Sequence, residues 1–157
     1  LQTIINEICL ARPDASPCYR EADCEVRRYR DKLYVMSPRL ERAGSWCASW
    51  MERDQPLILP DGRQLQARQT RGCGLPLASW RQADITVRLR QGGEWLKPAG
   101  SAHHKSLKAL FQEAGIPPWE RAEWPLIYVG DQLALVPGKW VAEEFAVPAA
   151  EDGIWIT

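Results

Sequence analysis

The sequence predicts an α+β fold dominated by sheet: several short antiparallel hairpins arranged in layers around one internal helix. Short apolar runs alternate with turn signals along most of the chain, most clearly at Pro60-Asp61-Gly62 and Gly130-Asp131. A helical period is clear in one internal stretch, where Leu107, Leu110, Phe111 and Ala114 recur at i, i+3, i+4 and i+7. With 157 residues, 45% of them hydrophobic and 25% charged, the chain can bury a real core.

Taken in order, Leu1 to Leu10 places Leu1, Ile4, Ile5 and Ile8 at helical intervals and reads as the last turns of an amphipathic helix. Arg12-Pro13 ends it, because the residue before proline is pushed out of the α region. LQTIINEICLA has no basic segment followed by a long apolar one, so it resembles the end of a helix from a longer protein more than a signal peptide. The expected organisation is a helix end and linker over residues 1–17 and one main domain over residues 18–157.

Cys24 to Met36 reads as two strands joined near Asp31, with Arg27, Arg28 and Arg30 as a basic cluster. Ser37 to Gln55 has no clean period; Trp46 and Trp50 either pair on a helical turn or anchor a loop. Leu57-Ile58-Leu59 and Leu65-Gln66-Ala67 flank a Pro-Asp-Gly turn and form a second hairpin, since proline presets φ and glycine supplies a positive one. Thr70 to Ala83, with Gly72, Gly74 and Pro76, reads as loop.

Ile85, Val87 and Leu89 alternate with Thr86, Arg88 and Arg90, so this strand should bury its aliphatic face and hold two guanidinium groups outward. Gln91-Gly92-Gly93 turns the chain, and Ser101 or Ser106 caps the internal helix. Lys105, Lys108 and Gln112 fall on a second face of that helix. Gly115 suits its left-handed C-terminal cap, Pro117-Pro118 stop it, and Pro118 can open a short helix through Trp119 and Arg121. Leu126 to Val129 and Leu133 to Val136 form a third hairpin, apolar enough to be central, with positive φ at Gly130. Trp140 to Phe145 and Ile154 to Ile156 are further strand candidates.

Net charge is zero, which argues against coating nucleic acid by bulk charge, but the distribution is uneven. Arg88, Arg90, Lys97, Lys105 and Lys108 face one acid, Glu94, in the middle; after Arg121, Lys139 stands alone against Glu123, Asp131, Glu143, Glu144, Glu151 and Asp152. Five widely spaced cysteines without a C-x-x-C pair read as reduced thiols packed in a cytosolic protein rather than as a disulfide or zinc framework. No run of about 18 apolar residues could span a bilayer.

Chemistry-bearing motifs are sparse. Adjacent His103 and His104 would point about 100° apart on a helix and do not make a metal site together. A Walker loop, a nucleophile elbow and a dinucleotide fingerprint are all missing, so no catalytic residue is assigned. Arg88, Arg90, Lys97, His104, Lys105, Lys108 and Arg121 are the candidate RNA-binding residues, since arginine and lysine supply the donors that phosphate oxygens need. Trp95 beside Lys97 either stacks on a base or fills the core. The competing reading is a protein-interaction module, supported by eight tryptophans that suit apolar interfaces.

The string HHKSLKALFQEAGIPPWERAEWPLIYVGDQLALVPGKWV resembles the C-terminal region of the bacterial tRNA(Ile)-lysidine synthetases, with their S-L-K-x-L-F-Q-E-x-G-I-P-P-W and P-L-x-Y-x-G-x-x-L-x-x-V-P-G patterns. LARPDASPCYREADCEVRRYRDKLYVM looks like the passage from that family's helical middle domain into its C-terminal one. The resemblance implies a cytoplasmic tRNA-modifying ligase that attaches lysine to the wobble cytidine of isoleucine tRNA. It implies that this part grips the tRNA at the acceptor stem, works with its own N-terminal catalytic domain, and shares a fold with a domain of the phenylalanyl-tRNA synthetase beta subunit. ATP, lysine and magnesium are the family's cofactors and substrates; its S-G-G-x-D-S nucleotide loop does not occur in this sequence, so none is expected on these residues.

Overall fold

A computed structural model of the chain describes residues 8, 10–12, 15, 17–21, 23–37 and 45–157. The chain divides into two units, Leu1–Arg42 and Ala43–Thr157. The helix expected over Leu1 to Leu10 lies, but for Ile8 and Leu10, outside the described residues.

In the first unit β1 (Cys18–Glu21), β2 (Cys24–Tyr29) and β3 (Lys32–Met36) form an antiparallel meander. The β2–β3 hairpin turns at Arg30-Asp31 as the sequence predicts, and Arg30 takes the left-handed φ of 54°. Arg20, Glu25 and Arg27 share one face of this sheet, because Arg20 pairs with Glu25 in register and Arg27 is two residues on. The Glu25 carboxylate is fully buried and accepts from Arg20 Nε (3.1 Å) and Nη2 (2.8 Å) and from Arg27 Nε. Burial pushes this carboxyl up, but hydrogen bonds and charge from Arg27 and Arg20 outweigh it and hold the pKa below the usual carboxylate range. Arg28 Nη2 donates to the carbonyls of Ala11 and Arg12 at 2.6 and 2.8 Å. Arg27 and Arg28 of the basic cluster thus hold backbone and a buried acid in place.

The second unit contains β4 (Cys47–Ser49), β5 (Leu57–Ile58), β6 (Gln64–Leu65), β7 (Ala67–Arg71), β8 (Leu75–Pro76), α1 (Leu77–Gln82), β9 (Ile85–Leu89), β10 (Trp95–Leu96), β11 (Lys105–Ser106), α2 (Leu107–Glu113), α3 (Pro118–Arg121), β12 (Pro125–Val129), β13 (Gln132–Val136), β14 (Trp140–Val141) and β15 (Asp152–Ile156). Its central sheet runs β14-β13-β12-β9-β4, antiparallel throughout. The hairpin expected to be central is so, and Gly130 has φ 58° at its turn.

Alternation along these strands sends side chains to two separate cores. Ile85, Val87, Ile127 and Leu135 pack with Trp50, which follows β4, and with Leu65, Leu75, Trp80, Ile154 and Ile156, contributed by α1 and the smaller β7-β15-β8 and β5-β6 sheets. Leu126 and Val136 pack instead with Leu96, Leu107, Leu110, Phe111 and Ile116, from α2 and its flanks. The central sheet is therefore covered on both faces, which makes the unit three-layered.

Several expectations give way to this arrangement. Thr70 to Ala83 is not loop: it holds the end of β7, all of β8 and α1. Its glycines mark close backbone approach, since a Cβ at Gly74 would lie 2.2 Å from the Ile154 carbonyl oxygen on β15. Trp46 and Trp50 flank a strand, β4, instead of sharing a helical turn, and Trp50 meets Trp80 edge-on at 5.1 Å. Beyond Val141 the expected strand becomes a 3-10 turn over Glu143–Phe145. Ala114 is the exposed C-terminal cap of α2 and not part of its apolar stripe. Cys18, Cys24, Cys47 and Cys73 are free thiols as expected, but Cys18, Cys47 and Cys73 are exposed because they lie on edge strands or in a turn.

Candidate nucleic-acid interface

Arg88 lies on the α2 side of the central sheet. On β9 it is in register with Leu126, and Thr86 with Tyr128, so these four residues share one face. The Arg88 guanidinium sits 4.4 Å from the Tyr128 ring centre and 3.8 Å from the Asp131 carboxylate, with its side chain 39% exposed. Burial, then the charge of Glu94, raises the Tyr128 pKa against the opposing effect of Arg88.

Arg90 was expected to project outward beside Arg88, and it does not. Its side chain is 14% exposed, 3.4 Å from the Glu94 carboxylate and 5.7 Å from the Phe111 ring centre. Alternation told the two faces of β9 apart, but the second face is roofed by α2 at this end. Glu94 also accepts from the backbone N–H of Gln91 (2.7 Å) and Gly92 (2.9 Å), closing the glycine turn where Gly92 and Gly93 have φ 103° and 86°.

Of the two candidate caps, Ser106 holds the start of α2, its hydroxyl accepting from the Ala109 N–H at 3.2 Å. Lys105 consequently belongs to β11 and not to the helix face expected for Lys105, Lys108 and Gln112. Its Nζ reaches both oxygens of Glu113 at 2.8 and 3.0 Å. Lys108 is exposed in the first turn of α2 and makes no ion pair among the described residues. At the other end Gly115, just past the Ala114 cap, takes the left-handed φ of 69° that the sequence predicts there, and Pro118 opens α3 as expected. Arg121, on α3, is 6% exposed, and its Nε donates to the Ile116 carbonyl at 2.6 Å across the turn between the two helices.

A shallow depression of about 160 Å³ lies beside β10 and β13 and is lined by Trp95, Lys97, His104, Gln132 and Glu144 among others. Trp95 and Lys97 flank Leu96, which is 2% exposed, so the strand period turns both outward. Trp95 is 63% exposed, which excludes the core role open to it from sequence alone. The backbone here is pinned: the Leu107 N–H donates to the Glu94 carbonyl at 2.9 Å, and the Glu143 N–H to the Lys97 carbonyl at 2.8 Å. His104 is exposed in the segment leading into β11. Lys97 and His104 line this depression together, and Arg88 is not among its lining residues. Arg90 and Arg121 are buried away from it.

The TilS substrate C-terminal domain model matches residues 85–156, and the TilS substrate binding domain model matches residues 1–34. The tRNA(Ile)-lysidine synthase of Methylococcus capsulatus is 40% identical over 147 residues, which cover 93% of this chain and 33% of that protein. That of Coxiella burnetii is 38% identical, over 98% of this chain and 34% of the relative. The chain belongs with the C-terminal part of the tRNA(Ile)-lysidine synthases. It spans about a third of the length of these curated synthases.

A solved structure titled "Crystal structure of TILS C-terminal domain" superposes with a TM-score of 0.55 at 22% identity, over 71% of this chain and 92% of that one. It supports the sheet-rich α+β fold. Gln132 and Glu144 join the candidate surface without having been singled out from sequence. The signal that pointed there was the alternation of Trp95, Leu96 and Lys97, an apolar residue between two that turn out to face solvent.

Proposed function

We propose that residues 18–157 form the tRNA-holding part of a lysidine synthase that attaches lysine to the wobble cytidine of isoleucine tRNA, and that they contact the acceptor stem. The observation that carries this reading is that Lys97, half-buried, and Lys108, exposed, make no ion pair among the described residues of a chain related to tRNA(Ile)-lysidine synthases. Lysines held in no ion pair remain available for phosphate. Arg88, His104 and Lys105 extend the surface; Arg90 and Arg121 are largely buried and do not belong to it. The reading includes a fold shared with a domain of the phenylalanyl-tRNA synthetase beta subunit.

ATP, lysine and magnesium would be held by an N-terminal catalytic domain of the same enzyme. Among the described residues no three His, Cys, Asp or Glu side chains converge as a metal would require. Of Trp95, Trp119 and Trp124 only Trp95 is exposed, so these three do not build the apolar patch of a protein-docking module. Competition between isoleucine tRNA and an acceptor-stem minihelix for the full-length enzyme tests the reading. The minihelix should displace the tRNA, with a measurable loss when Arg88 and Lys108 are neutralised; a minihelix that never competes would remove the acceptor stem as the contact.

A further inference from the structure

We infer that the depression around Trp95 seats one unpaired nucleotide of the bound RNA, its base stacked on the indole and its phosphate beside Lys97. The inference rests on the tRNA-holding role proposed above and names what part of the RNA this surface takes.

Four observations converge. Trp95 exposes most of its ring, whereas the chain buries Trp50 and Trp80 at 2% and 4% and could have gained apolar burial here as well. The backbone under the ring is a pinned ladder: Trp95 is opposite Ser106, which itself caps α2, while Leu96 is locked in the second core. A rigid exposed aromatic loses little entropy when a base stacks on it. Lys97 lies two residues along on the same side, close to where a nucleotide's phosphate would follow its stacked base. His104, Gln132 and Glu144 complete the rim with donors and acceptors suited to base edges.

The volume sets the stoichiometry. At about 160 Å³ the depression is smaller than the 300–1,000 Å³ typical of small-molecule sites, which suits a single planar base and not a whole cofactor. A paired base cannot enter, because its faces are covered by its neighbours in the helix; the nucleotide must come from a loop or a single-stranded end. The carboxylate of Glu144 favours a base that presents an exocyclic amino group over one that presents only carbonyls.

The experiment uses the full-length protein and isoleucine tRNA carrying 2-aminopurine at one unpaired position at a time. One position should be quenched on binding, and Trp95→Ala should relieve that quench and weaken tRNA binding about tenfold, the fold-change of one base–aromatic stack. Trp95→Phe should keep affinity within about threefold, since any aromatic face stacks. Neither should alter the salt dependence, because stacking releases no counterions, whereas Lys97→Gln should flatten it by about one unit or less. Glu144→Gln leaves the indole and its ladder in place; a drop in the preference for amino-bearing bases supports the seat without relying on Trp95→Ala folding, and an unchanged preference counts against it. Wild-type quenching and affinity in Trp95→Ala, with Arg88→Ala and Lys108→Ala still weakened, would overturn the nucleotide seat alone. Unchanged affinity in all three variants would overturn the tRNA reading with it.

Discussion

Arg121→Met separates an arginine that builds the fold from one that serves a surface. The native guanidinium is 6% exposed and donates to the Ile116 carbonyl at 2.6 Å, just where Gly115, Pro117 and Pro118 redirect the chain from α2 to α3. Methionine fills similar space without the donor, so the buried carbonyl loses a charge-assisted hydrogen bond of about 1.5–3 kcal/mol. At about 4 °C per kcal/mol for a unit of this size, the melting temperature should fall by roughly 6–12 °C. Differential scanning calorimetry gives that shift, and tRNA titrations at several salt concentrations give the second readout. Because Arg121 lies beneath the surface, the slope of log affinity against log salt should match wild type once the protein is folded. A variant with an unchanged melting temperature and a flattened slope would refute the reasoning, since Arg121 would then be meeting phosphate.

The remaining predictions concern the fold that carries the site. Because Glu25 is held below its ordinary pKa by Arg27 and Arg20, it contributes stability that is fully present above the ordinary carboxylate range, about 4.3, and is lost as pH falls through the depressed value. Urea unfolding followed against pH should show this acid limb in the wild type and lose it in Glu25→Gln; an identical limb in both would contradict the assignment. Gly74→Ala places a Cβ 2.2 Å from the Ile154 carbonyl at a φ of 92° and should cost on the order of 3 kcal/mol or more, measured by chemical denaturation. Gly62→Ala, equally left-handed at φ 84° but in open space, should cost only about 1 kcal/mol, and equal losses would show that crowding is not what fixes Gly74.

Local chemistry was legible in the sequence where one residue type decides the backbone. Gly115, Pro118, Gly130 and the Pro60-Asp61-Gly62 turn all stand where their φ preferences place them. The β9 alternation likewise identified Ile85, Val87 and Leu89 as buried. What alternation could not tell was whether the opposite face meets water. Arg88 stays half-exposed while Arg90, two residues on, is roofed by α2, a difference that depends on a helix some twenty residues away in the chain. Lys105 was misplaced because either serine could cap the helix, and choosing Ser106 moves Lys105 onto a strand and into an ion pair with Glu113. Gly72 and Gly74 read as loop because close backbone packing and chain reversal both call for glycine. Arg121 carried no local sign of burial at all; its contact with the Ile116 carbonyl shows that it ties the turn between α2 and α3.

The most direct test of the tRNA-holding role is the salt dependence of isoleucine tRNA binding by the full-length protein bearing Arg88→Gln, Lys97→Gln and Lys108→Gln together. All three side chains reach the surface, so the folded protein should be retained within about 2 °C of the wild-type melting temperature. If each meets one phosphate, affinity should fall at low salt and the slope of log affinity against log salt should become shallower by about two to three units. A triple variant that binds with wild-type affinity and wild-type slope would contradict the account.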